Sequence, residues 1–290
     1  MPELPEVETI RNGLEKLLVN RTILDIKVDN LKSFPNDNET VKEFILSRKV
    51  VQVRRRAKIL IIELDSQYSL VVHLKMTGQL VFVDSNNRFG AGHPNDSLIN
   101  KLPDKSTRIS LILNNGASLY FNDQRKFGWM KTMPTDILTD QDYFEKYGPE
   151  PLHDDFTIKI FEDRLLKHPK LSIKAALLNQ TIIAGIGNIY ADESLWNAQI
   201  NPKTVVNKLT NKDIANLFGA IQKVLRFSLS QGGSTDKNYL DAEGKKGSYL
   251  KFATVFRKEG QPCPRCGNTI IKTRVASRGT HICPTCQVIK

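Results

Sequence analysis

Ile109-Ser110-Leu111-Ile112-Leu113-Asn114-Asn115-Gly116-Ala117-Ser118-Leu119-Tyr120-Phe121 reads as two strands folded back on each other. Asn115 and Gly116 both tolerate the positive φ that a tight hairpin turn demands, and apolar runs flank them. Working back toward the start of the chain, Ile23–Val28, Val50–Val53, Ile59–Leu64, Leu70–Leu74 and Leu80–Val83 carry the same period of two. Ahead of these strands, residues 5–19 place Val7, Ile10, Leu14, Leu17 and Leu18 on one helical face, and a short second helix is expected around Val41, Phe44 and Ile45. The first half is therefore predicted to be an antiparallel sandwich or barrel with a helix at its start. Asp84–Thr107, with Gly90, Gly92, Pro94 and Pro103, is predicted to be a long surface loop or insertion.

The period changes after Gly148-Pro149-Glu150-Pro151, whose prolines are expected to stop a helix over Tyr143–Tyr147 and to mark a domain boundary. Beyond it come helical sets: Ile158, Phe161, Leu165; Ile173, Leu177, Leu178; Ile189, Leu195, Trp196. A long helix through Ile214, Leu217, Phe218, Ile221 and Leu225 is announced by the capping pair Thr210-x-x-Asp213 and closed by Gly232 and Gly233. Ser234–Gly247 is polar and reads as a loop. At 290 residues two domains are the default.

Lys and Arg outnumber Asp and Glu by 42 to 31, a formal charge of +11 spread along the chain, which favours a polyanionic partner, most commonly nucleic acid. No apolar run is long enough to span a bilayer and the charged N-terminus is no signal peptide, so a cytosolic protein is expected.

All four cysteines lie near the C-terminus, as Cys263-Pro-Arg-Cys266 and Cys283-Pro-Thr-Cys286 with sixteen residues between the pairs. Two such knuckles suit four thiolates on one tetrahedral Zn²⁺, leaving no open ligand position, so the metal is structural. Two disulfides are the alternative, disfavoured in a cytosolic chain. Lys272, Arg274 and Arg278 lie between the knuckles, on a hairpin able to hold a cation against a phosphodiester. Gly185-Ile-Gly187-Asn188 precedes a helix and is either an anion-binding N-terminus or a tight interhelix turn. Arg54-Arg55-Arg56-Ala57-Lys58 and Phe121-Asn-Asp-Gln-Arg125-Lys-Phe127-Gly128, at strand ends, offer a nucleic-acid edge. In His73-Leu-Lys-Met76-Thr-Gly78 the methionine is either a wedge or core filling. Finally, Met1-Pro2-Glu3-Leu4-Pro5-Glu6 places a potential secondary amine beside carboxylates: once Met1 is removed, Pro2 is a nucleophile able to form a Schiff base, although Pro and Glu also simply open helices.

Taken in order, Pro2-Glu3-Leu-Pro-Glu6, Lys58, His73-x-x-Met76, Phe121-Asn-Asp-x-Arg125-x-Phe127-Gly128, Gly185-Ile-Gly187-Asn188-Ile-Tyr and the terminal finger resemble the formamidopyrimidine-DNA glycosylases, across nearly the whole chain. Gln124 stands where that family commonly has proline, Ala57 where it has glycine and Lys75 where it has a small residue.

The resemblance implies an α+β protein: an N-terminal antiparallel β-sandwich with flanking helices (2–134), a linker (135–152), a helical helix-two-turns-helix module (153–233), a lesion-capping loop and connection (234–259) and a β-hairpin zinc finger (260–290). It implies a monomeric glycosylase and AP lyase that excises oxidised purines from duplex DNA. Pro2, Glu3 and Lys58 would be catalytic and Glu6 supporting. His73, Met76, Arg125, Phe127, Lys174, Asn188 and Arg278 would bind DNA, and Ser234, Thr235, Tyr239 and Tyr249 would belong to the capping loop. Cys263, Cys266, Cys283 and Cys286 would hold one Zn²⁺. The competing readings are an endonuclease VIII-like glycosylase for oxidised pyrimidines and a non-catalytic zinc-finger DNA-binding protein.

Overall fold

The computed structural model describes residues 1–93, 95–234 and 248–290. Thr235 and Tyr239 lie outside them. The chain divides into two compact units, Met1–Glu145 with the described residues from Gln231 to Ser248, and Lys146–Ser230 with Tyr249–Lys290.

The first unit opens with α1 (Leu4–Leu18), followed by β1 (Ile23–Val28), α2 (Asn38–Phe44), β2 (Val50–Arg56), β3 (Ile59–Leu64), β4 (Tyr68–His73), β5 (Gly78–Val83), β6 (Arg88–Gly92), β7 (Thr107–Leu113), β8 (Ser118–Asp123) and β9 (Trp129–Pro134). Two antiparallel sheets result, ordered β1-β7-β8-β5-β6 and β2-β3-β4-β9. Their inner faces share one core, with Leu60, Ile62, Leu70 and Val72 from one sheet and Phe82, Ile109, Leu111 and Phe121 from the other. α1 adds Val7, Ile10, Leu14 and Leu18 to it, the apolar face read from the 3.6-residue period. The Asn115-Gly116 hairpin joins β7 to β8 with φ of 57° and 70°, and Leu113 N–H donates to the Ala117 carbonyl at 2.8 Å across it.

Three expectations are corrected. Asp84–Thr107 is no bare surface loop, because it contains β6, paired along its length with β5. Phe89 of that strand is buried, and a Cβ on Gly13 would lie 2.4 Å from its ring, so α1 and β6 touch where only glycine fits. The Tyr143–Tyr147 segment is not helical. Its amides bond irregularly, Tyr143 N–H to the Ile137 carbonyl and Phe144 N–H to that of Thr139, so no helical ladder forms. The Arg54-Arg55-Arg56 run is not an open cationic edge either. It lies inside β2, where Arg54 pairs with Glu63, Arg55 with Glu8 at 2.7 Å and Arg56 with Asp140 at 2.7 Å.

The second unit holds α3 (Ile158–Leu166), α4 (Ile173–Leu178), α5 (Asn188–Asn197), α6 (Asn211–Ser230), the short α7 (Tyr249–Phe252) and the hairpin β10 (Ile271–Val275) and β11 (Arg278–Ile282). Thr210 and Asp213 cap α6 reciprocally: Thr210 N–H donates to the Asp213 carboxylate at 2.9 Å and Asp213 N–H to the Thr210 hydroxyl at 3.2 Å. Phe161, Leu177, Tyr190, Leu195, Leu217 and Ile221 are among the residues forming the unit's main core. No described helix is long and apolar enough to cross a membrane.

Candidate active site, nucleic-acid contacts and metal centre

The start of α1 is held by carboxylates. Glu3 is its N-cap and Pro5 lies in its first turn, so the helix-opening reading of these residues is correct as far as it goes. The same geometry also concentrates acid around Pro2. Glu3 is 3 % exposed and Glu6 8 %. The Glu6 carboxylate accepts the Glu3 N–H at 2.9 Å and the Ser234 N–H at 2.7 Å. Gly233 makes that second bond possible, since its φ is +83° and a Cβ there would stand 3.1 Å from Glu6 Oε1. Pro2 is itself buried.

The first unit also carries a buried lysine, a partly buried histidine at a strand end and one unforeseen histidine. Lys58 lies in the tight β2–β3 turn beside Ala57, whose φ is +54°, and is almost fully buried. His73 ends β4. Burial, then the charges of Lys75 and Lys58, push its pKa down to about 3, so the ring is neutral. Its Nδ1 accepts the Lys75 N–H at 3.0 Å, which leaves Nε2 carrying the hydrogen as a donor. The half-buried His93 was not singled out in the sequence. Its pKa is lowered by burial and by the positive amino terminus, which places it with the N-terminal group. An isolated His between Gly92 and Pro94 carries no pattern from which that could be read.

Two turns project apolar side chains into solvent. Met76, in the β4–β5 turn, is 43 % exposed, and Phe127, between β8 and β9, is 59 % exposed, with the Arg125 guanidinium 5.1 Å from its ring centre. Exposed side chains of this kind are not core filling. Asp123 joins the two turns: its carboxylate accepts from the Thr77 hydroxyl, from Arg125 N–H at 3.1 Å and from Gly128 N–H at 2.7 Å.

In the second unit α5 is the organising element. Asn188 at its first turn donates to the Gly279 carbonyl at 3.0 Å, next to Arg278, which is exposed where β11 leaves its turn. Lys174 does not fit the expected phosphate contact. It is wholly buried, paired with Asp192 at 2.6 Å, and also donates to Thr280 Oγ1 at 2.8 Å and the Gly279 carbonyl at 3.2 Å. Asp192 also accepts the His281 N–H at 2.9 Å. Glu193 accepts N–H groups of Thr254, Val255 and Phe256 at 2.9, 2.9 and 2.8 Å, and the Tyr249 hydroxyl at 3.3 Å. Sequence reading gave neither carboxylate a role, because the partners of both lie far along the chain.

The four cysteines are free and converge, with all Sγ atoms within 4.8 Å of one another. Cys263 and Cys286 are 3.9 Å apart and Cys266 and Cys283 3.4 Å. Four sulfurs at Zn–S bonds of about 2.3 Å would be roughly 3.8 Å apart, so the set fits one tetrahedral zinc. The sulfur environment agrees. Burial opposes the Cys263 thiolate, yet N–H donors from Arg265 and Cys266 outweigh it and bring the pKa down to about 6. Burial and the neighbouring sulfurs push Cys286 up to about 12.

Residues 1–130 match the family model of the formamidopyrimidine-DNA glycosylase N-terminal domain, 147–239 that of its H2TH domain and 260–288 a zinc finger found in FPG and IleRS. The chain belongs to the formamidopyrimidine-DNA glycosylase family. Among similar proteins, the formamidopyrimidine-DNA glycosylase of Herpetosiphon aurantiacus is 42 % identical over 290 residues, covering 99 % of this chain and all of that protein. That of Pelotomaculum thermopropionicum is 39 % identical over the full length of both chains. The solved complex of Lactococcus lactis Fpg with abasic-site DNA superimposes with a TM-score of 0.86 at 34 % identity, covering 99 % of each chain. Formamidopyrimidine-DNA glycosylases thus share this chain's whole length and fold, including the cysteine-bearing end.

Proposed function

We propose that this protein is a base-excision enzyme, a DNA glycosylase that also cleaves the abasic site, acting on oxidised purines such as 8-oxoguanine and formamidopyrimidines in duplex DNA. The observation carrying this reading is the buried Glu3–Glu6 arrangement around Pro2, an investment of carboxylates that a DNA-binding module would not need. With Met1 removed, the Pro2 nitrogen attacks C1′ of the lesion nucleotide. The bond from C1′ to the base breaks and the base leaves with a proton; the Pro2 nitrogen gives up its own proton, O4′ takes one up as the C1′–O4′ bond breaks, and the opened sugar is held as an iminium on Pro2. Glu3 and Lys58 serve as the proton carriers and Glu6 fixes Glu3. The iminium acidifies the 2′ hydrogens; β-elimination then breaks the C3′–O bond and δ-elimination the C5′–O bond.

The nucleotide must leave the stack to react. Met76, Arg125 and Phe127 fill the space it vacates, and their exposure suits that work. In the first unit His73, as a neutral donor, contacts phosphate; in the second, Asn188 and Arg278 do so. Lys174 supports this indirectly through the hairpin it holds. Ser234, Thr235, Tyr239 and Tyr249 belong to the lesion-capping segment. We assign 2–134 to the catalytic domain, 135–152 to a linker, 153–233 to the helix-two-turns-helix module, 234–259 to the capping loop and connection, and 260–290 to the finger. One structural Zn²⁺, bound by Cys263, Cys266, Cys283 and Cys286, would pin the finger hairpin. A cytoplasmic, nucleoid-associated monomer is the setting this reading calls for.

Borohydride reduction with an 8-oxoguanine duplex should trap a covalent adduct through residue 2. A Pro2→Gly variant, or protein that retains Met1, should trap far less. Equal trapping by the Met1-retaining protein would refute the mechanism. Preferential trapping on an oxidised-pyrimidine duplex would favour the endonuclease VIII-like reading, and no adduct on either duplex would favour a binding module.

A further inference from the structure

Trp196 ends α5 against the cysteine cluster, packed with Val255, Cys263, Ile270 and Cys283. Its indole N–H is buried and has no hydrogen-bond partner among the described atoms. A buried, unpaired donor of this kind is costly and calls for an explanation. The cluster in which the ring packs offers sulfur as an acceptor, on Cys263 and Cys283. The other face of the ring is occupied as well. The Arg265 guanidinium, from inside the first knuckle, stands 4.1 Å from the ring centre and donates to the Trp196 carbonyl at 3.1 Å. The indole is thereby fixed in place, with a cation on its face and the cysteine-bearing cluster packed around it.

We infer that Trp196 is a second-sphere ligand of the zinc site, its Nε1–H donating to the Cys263 sulfur when the metal is bound and so slowing metal loss. A metal-bound thiolate carries more negative charge than a thiol and is the better acceptor, so the bond forms with the charge that zinc stabilises. The consequence lies along α5. The helix that starts at Asn188 ends on a residue that senses whether the finger is loaded, so zinc occupancy and the placement of Asn188 share one rigid element.

Two measurements on the full-length protein test this. Trp196→Phe keeps an aromatic ring for Arg265 and removes only the N–H. Its zinc should transfer to a chromogenic chelator about ten- to a hundredfold faster than from the parent, the range expected for a lost outer-shell partner. Arg265→Ala, which retains the indole N–H, should release zinc more slowly than Trp196→Phe does. A release rate for Trp196→Phe within twofold of the parent would overturn the inference. Should Trp196→Phe not fold, ¹⁵N-indole labelling of the unaltered protein decides the matter, with Trp129→Phe assigning the second indole signal. The Trp196 Nε1–H should exchange slowly in the zinc-loaded protein and rapidly after chelation; equal exchange in both states would overturn the inference.

Discussion

Lys174 and Asp192 form an ion pair at 2.6 Å in which neither side chain touches water. A lysine in a basic protein of this kind invites assignment to a phosphate, yet its ammonium is spent on Asp192, Thr280 and Gly279, which fasten the hairpin bearing Arg278. Removing one partner strands the other as a buried charge, so Lys174→Ala should cost about 3–5 kcal/mol, measured by denaturant unfolding. The salt dependence of DNA binding separates the two roles. Loss of a phosphate contact would lower the slope by about 0.9, whereas a buried strut leaves it unchanged.

Asp123 ties the Met76 turn to the Arg125–Phe127 turn. Asp123→Ala removes one acceptor shared by three donors and should destabilise the protein by about 1–3 kcal/mol. It should weaken binding to a lesion duplex more than to undamaged DNA, because only the former asks those side chains to fill a gap. Equal weakening on both, by titration, would contradict this.

His73 makes acid stability directional. Its pKa of about 3 in the folded protein lies below the ordinary value of 6.5, so the folded state stays neutral while the unfolded chain takes up a proton. The contribution is therefore complete above pH 6.5 and is lost as pH falls from there toward 3, at up to about 1.4 kcal/mol per pH unit. His73→Gln should flatten that portion of the stability–pH curve between pH 6.5 and 4.

Gly13 meets the Phe89 ring where a methyl group would lie 2.4 Å away. Gly13→Ala gains helix propensity worth roughly 1 kcal/mol but overpacks a filled core at about 1–3 kcal/mol. We expect a net lower melting temperature. Gly13→Ala with Phe89→Leu should recover part of it.

Chelation of zinc, or Cys283→Ser, should speed amide exchange in β10, β11 and the last turn of α5, and abolish DNA binding. Cys263, Cys283 and Cys286 sit in a small cluster with Trp196, Val255 and Ile270, so that end of the chain has little other core to fall back on.

Much of this was legible in local patterns. The Asn115-Gly116 turn, the Thr210–Asp213 cap, the α1 stripe and the paired cysteines each declare themselves within a few residues. β6 did not, because Arg-Phe-Gly-Ala-Gly lacks strand propensity and is extended only through its pairing with β5. Nor did β9, which ends in Pro134 and is tolerated at a sheet edge, bonded to β4 alone. In the site, residues in contiguous motifs could be found, whereas His93, Asp192 and Glu193 act through partners distant in sequence, as does Asp123 in its bond to Thr77. The pairing of Arg54, Arg55 and Arg56 with carboxylates is likewise a tertiary fact that composition hides.

α5 touches the terminal hairpin or its approach at Asn188, Asp192, Glu193 and Trp196, nearly every turn of its length. The last thirty or so residues are thus not a portable cassette. Grafted onto a foreign scaffold, they would keep their cysteines but lose the rail along which they are bolted, and a swap between homologues should succeed only when the helix travels with them.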